Sequence, residues 1–130
     1  MSRNRVIVSV ARACLVLLLG GVGLAGLYNT YQEWPDAATA LQHVVSAGEL
    51  IYGLTGVAGA SGVVRNKRWT LAVVAVWGIA VTLVASLATL AYGGPTVTSG
   101  DATIAGAASF AIALVVFFGA RAVTGNRGSD

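Results

Sequence analysis

Charge is scarce in this chain. Lysine, arginine, aspartate and glutamate make up 10% of 130 residues, only five of them acidic, and there is one cysteine, one histidine and two prolines. So little charge excludes a disordered tail or an ordinary soluble domain. The lone Cys14 excludes an internal disulfide framework and a thiolate zinc site. The lone His43 cannot supply both axial ligands of a bis-histidine haem. No nucleophile with its base, no paired carboxylates and no metal cluster can be assembled from the pattern, so the chain reads as having no catalytic or metal site of its own. Hydrophobic residues, at 56%, and a mean hydropathy of +0.78 instead give the composition of a membrane protein.

Nearly uninterrupted apolar stretches cover residues 6–27, 37–64, 69–92 and 102–123. Each reaches the roughly 20 residues needed to cross about 30 Å of hydrocarbon. The expectation is an all-α membrane protein: one domain, residues 1–130, with four transmembrane helices in an antiparallel up-down bundle and residues 124–130 as a disordered tail. The first stretch could alternatively be a signal peptide, with Gly23-Leu24-Ala25 as a small-residue cleavage site. Cleavage would leave three helices, and retention is the reading adopted.

The polar breaks are one-sided. Arg3, Arg5, Arg12, Arg65, Lys67, Arg68, Arg121 and Arg127 all fall at one end of the expected helices, and the first and third breaks contain no lysine or arginine. The positive-inside rule then places both termini in the cytoplasm, with the protein integral to the cell (plasma or inner) membrane. Topology therefore accounts for the net charge of +3, and no nucleic-acid partner is implied. Tyr28, Tyr31, Trp34 and Tyr92 mark the outer boundary and Trp69 the inner one. Arg12, two turns into the first stretch, is expected to snorkel back to the headgroups. Trp34-Pro35-Asp36 reads as the start of the second helix, and Ser99 or Asp101 as the cap of the fourth.

Chemistry concentrates on the second helix. With a start at Ala37, Glu49 lies about 18 Å in, close to the bilayer midplane, where an acid requires a partner or a purpose. Gln42, Ser46, Tyr52, Gly53 and Gly56 fall within about 60° of it, leaving Val44, Ile51, Leu54 and Ala58 toward lipid or another subunit. The structural explanation is a protonated Glu49 donating to Thr82, Ser86 or Thr89 on the third helix. The functional one makes Glu49, with Gln42, His43, Ser46 and Tyr52, a contact for a proton, ion, ligand or partner subunit. His43 lies about 120° from Glu49, so direct pairing of the two is not expected.

Gly53, Gly56, Gly59 and Gly62 follow at three-residue steps, which wind around a helix rather than forming one GxxxG stripe, and read as close helix packing. The stretch Gly48-Glu49-Leu50, then Gly53, then Gly59 to Gly62, then Arg65-Asn66-Lys67-Arg68 and an apolar third helix resembles the DoxX-like family of small four-helix membrane proteins. That family often ends its first helix with a lysine, where Tyr28-Asn29-Thr30 stands here. The resemblance implies an accessory or assembly subunit of an oxidoreductase-type membrane complex, sometimes with quinone, with Glu49 and the glycines carried over. A membrane-protein partner or a homo-oligomer is expected. The competing class is a small proton-coupled transporter using Glu49. Small multidrug transporters carry their acid on the first helix, and their antiparallel dimers need a weak charge bias, unlike the complete bias here.

Overall fold

The computed structural model describes residues 2–125, and all regular structure among them is helical. The four helices are α1 (Arg3–Glu33), α2 (Ala40–Arg65), α3 (Thr70–Tyr92) and α4 (Ser99–Thr124), each long and apolar enough to cross a membrane. Thr124, placed in the expected tail, closes α4; the rest of that tail, residues 126–130 with Arg127, lies outside the described residues.

The first helix runs further than its apolar stretch. Its 31 residues span about 46 Å, against about 30 Å of hydrocarbon. The surplus is polar: Arg3, Asn4 and Arg5 at one end, and Asn29, Thr30, Gln32 and Glu33 at the other. Nothing between Leu27 and Glu33 breaks a helix, since the nearest glycine or proline downstream is Pro35. Helical hydrogen bonding therefore continues until Trp34, whose N–H still reaches the Thr30 carbonyl.

Trp34-Pro35-Asp36 is consequently a turn and not the start of α2. That start is Ala40, where Thr39 and Gln42 form a capping box: the Thr39 hydroxyl accepts from Gln42 N–H, and the Gln42 carboxamide accepts from the Thr39 backbone. The same device starts α4, with Thr98 as the cap and Asp101 reaching back to it, so neither Ser99 nor Asp101 is itself the cap. At its other end α2 closes on Asn66 in the left-handed region (φ 52°), with Lys67 N–H bonded to the Gly62 carbonyl, a Schellman-type stop. Asparagine tolerates this conformation better than other residues bearing a side chain.

Each helix packs along its sequence neighbour. α1 also touches α4 at one end, α2 touches α4 briefly, and the backbones of α1 and α3 do not approach each other among the described residues. The four helices thus form a bundle in which sequence neighbours pack together and α4 returns to α1 at one end. Gly23 and Gly26 of α1 meet Gly53, Gly56, Tyr52 and the Glu49 carbonyl of α2. Further along α2, Gly59 lies against Val74 and Gly62 against Thr70 of α3. The three-residue glycine steps therefore serve two partners in turn, turning from α1 to α3. Gly78 and Gly106 set the α3–α4 approach, against Ala113 and Ser86.

The core comprises Leu19, Val45, Val63, Val74, Trp77 and Ala120, while Leu17 (74% exposed), Val115 (72%) and Ile104 (70%) face outward. An apolar exterior of this kind is untenable in water and suited to lipid. Val44, Ile51 and Leu54 face outward as expected, with Ala58 half-buried. Arg12 reaches back toward the basic end of the molecule, as expected, and finds a protein partner there. Its Nη2 donates to the Val123 carbonyl at 3.0 Å, tying the first third of α1 to the last turn of α4.

Candidate functional site

Helix continuation through Glu33 builds the site. Asn29, Thr30 and Glu33 lie within about 60° of Gly26, the face that packs on Glu49 and Tyr52. The polar end of α1 is thereby laid over the first turns of α2. Thr30 Oγ1 donates to the Gly26 carbonyl at 2.9 Å and reaches the Ser46 carbonyl of α2 at 3.2 Å, fixing the register of the two helices there.

Around this crossing, Glu49 is 5% exposed and Ser46 fully buried, with Tyr52 at 9%. Glu33 and Asn29 lie close to the Glu49 carboxyl. Tyr52 stands beside Asn29, and Tyr92, the last residue of α3, reaches toward Glu33 and Ser46. The sequence pattern offered no paired carboxylates, and the fold supplies a pair. Glu33 Oε2, Glu49 Oε2 and Ser46 Oγ are all buried without a hydrogen-bond partner.

Position also differs from the expectation. Because α2 begins at Ala40, Glu49 lies about 14 Å from the start of a helix about 39 Å long, roughly 6 Å short of its middle. The expected α3 partners are engaged elsewhere. Thr82 Oγ1 donates to the Gly78 carbonyl, Thr89 Oγ1 to the Ala85 carbonyl, and Ser86 lies against Gly106 of α4.

Of the residues singled out around Glu49, the fold brings Ser46 and Tyr52 together with it. Gln42 is occupied by the capping box. His43 packs edge-on against Trp34, ring centroids 5.1 Å apart, with Nδ1 3.0 Å from the Thr39 carbonyl oxygen. Asn29 and Glu33 were missed because the apolar stretch ends at Leu27. The signal available was their spacing from Gly26, at i+3 and i+7, in a run with no helix breaker.

Two ionised carboxylates can only accept, so side by side they repel and leave buried lone pairs unmet. A proton or a cation between them removes both costs. Glu33, Glu49, Asn29 and Ser46 offer the oxygen donors that a hard cation takes. No group of three His, Cys, Asp or Glu side chains forms among the described residues, so the donor set suits a proton or a weakly held cation better than a transition metal. No family model, curated protein or solved structure matches the chain.

Proposed function

We propose that this is a proton-coupled integral membrane protein whose Glu33–Glu49 pair takes up and releases one proton. The reading is carried by two facing carboxyls that each have a buried oxygen lacking any donor. A shared proton supplies that donor, and Asn29, Tyr52 and Tyr92 are placed to steady either state. The helices run antiparallel, up and down, a reading supported by Gly26 meeting Glu49 while Gly20 meets Ala60. Both termini lie in the cytoplasm and the protein sits in the cell membrane, on the strength of the one-sided arginines and lysines. The carboxyl pair then opens toward the outer face.

The accessory-subunit reading is the second. It draws support from the face of α1 that no other helix covers, where Leu24, Tyr28 and Tyr31 are exposed. A redox partner that co-purifies in detergent and depends on that face favours it.

Two measurements test the proton reading. A hydrophobic carbodiimide, which attacks protonated carboxyls, labels Glu49 in the wild type, and the Glu33→Gln variant changes the pH dependence of that labelling. Proton movement across liposomes holding the protein is lost in Glu49→Gln. Labelling with an unchanged pH profile in Glu33→Gln, together with flux equal to that of empty liposomes, overturns the proposal.

A further inference from the structure

At the opposite end, the α2–α3 turn and the close of α4 border an open surface cavity of about 410 Å³. Asn66, Lys67 and Arg68 line it from one side, and Arg121 and Thr124 from the other, with Leu71 as an apolar wall. Three cations thus converge from segments more than 50 residues apart in the chain. Of the four acids among the described residues, Glu33 and Asp36 lie at or just past the end of α1, Glu49 packs against that same end and Asp101 is in the first turn of α4, so none stands at this cavity.

Cations at helix C-termini ordinarily serve the last carbonyls. Here six of the carbonyls at this end have other donors, and no hydrogen bond engages the side chain of Lys67, Arg68 or Arg121 among the described residues. Val123 O accepts from Arg12, Ala120 O from the Thr124 hydroxyl, and Arg121 O from Gly125 N–H. On the α2 side, Gly62 O accepts from Lys67 N–H, Val63 O from Asn66 N–H, and Lys67 O from both the N–H and hydroxyl of Thr70. The ammonium and guanidinium groups are left over. α3 also begins here, its first turn holding no acid and its N-cap Trp69 making no side-chain cap, so the positive end of its dipole adds to theirs.

We propose that this cavity binds a phosphate group, either the headgroup of an anionic phospholipid or a free phosphate. Its volume falls within the roughly 300–1,000 Å³ of small-molecule sites. Two guanidinium forks, an ammonium and an amide match a tetrahedral anion with several acceptor oxygens. Leu71 and the exposed Trp69 provide the apolar margin along which acyl chains of a lipid lie. This assignment is independent of the carboxyl pair.

The test uses the full chain in detergent micelles containing trace phosphatidylglycerol or phosphatidylcholine, read by native mass spectrometry, alongside a thermal-shift titration with inorganic phosphate. Lys67→Gln with Arg121→Gln is compared with Arg3→Gln with Arg5→Gln, which removes the same charge from the same end. Lys67→Arg serves as the conservative variant. Phosphatidylglycerol retention that falls roughly fivefold per cavity cation removed, is kept in Lys67→Arg and is unaffected by the Arg3/Arg5 pair, supports a lipid headgroup. A cavity-dependent shift with inorganic phosphate, without lipid retention, supports the free anion. Equal losses in both double variants, equal retention of phosphatidylcholine, or no binding of either probe overturns the site. Unfolding midpoints in lipid-free detergent, equal for all variants, separate lost binding from lost folding.

Discussion

Gly23 and Gly56 bring α1 and α2 together backbone against backbone. A Cβ on Gly56 would lie 2.8 Å from the Gly23 Cα and 2.7 Å from the Leu19 carbonyl oxygen. Such distances leave no side chain to give way, so the helices must part to admit even a methyl group. Everything at the acidic site depends on this approach, because it sets how near the end of α1 comes to Glu49.

Gly56→Ala is therefore expected to destabilise the protein by about 1–3 kcal/mol, through overpacking. Gly21, on the same helix as Gly23, meets nothing within 4 Å, and Gly21→Ala should be neutral or stabilising by up to about 1 kcal/mol. Reversible unfolding in mixed micelles compares the two. Equal effects would show that the α1–α2 approach is looser than described.

At the carboxyl pair, the amide of Glu33→Gln can donate where a carboxylate cannot. Stability in that variant should hold within about 1 kcal/mol, whereas Glu49→Ala, which empties buried space beside Glu33 and Tyr52, should cost about 2–3 kcal/mol. A double-mutant cycle between the two positions measures their coupling. Additive effects would mean that the carboxyls do not interact.

Arg12→Met should loosen the α1–α4 end, since the Val123 carbonyl then loses its only charged donor among the described residues. A charge-assisted bond of this kind contributes about 1.5–3 kcal/mol. Faster amide exchange confined to the last turn of α4 is the expected readout, with the carbodiimide reactivity of Glu49 unchanged.

Thr39→Ala removes the acceptor that starts α2 and should cost about 1 kcal/mol. His43→Phe keeps the edge-on contact with Trp34 and should leave both stability and Glu49 labelling as in the wild type. Loss of labelling in His43→Phe would place His43 in the site after all.

Helix number and the extent of α3 could be read from hydropathy alone, because a run such as residues 70–92 contains no charge at all. Glu49, Ser46 and Tyr52 were visible as a stripe for the same reason: helical spacing is a local property. Glu33 was not visible, since its role depends on a helix outlasting its apolar stretch. Hydropathy finds where lipid ends and says nothing of where hydrogen bonding ends. The positions of Gln42 and Thr98 were misjudged in a related way. Capping is decided among neighbouring side chains competing for the same backbone donors, and Thr39 and Thr98 win against Asp36 and Ser99 by standing three residues before a suitable acceptor.

The first companions of Glu49 precede it in the chain. As the polypeptide leaves the ribosome, Asn29, Thr30 and Glu33 are already made when the acid enters the translocon, and the α1–α2 hairpin can partition sideways as a unit. Glu49 thus need never confront acyl chains alone during biogenesis. Tyr92 arrives more than forty residues later to cover what the hairpin leaves open.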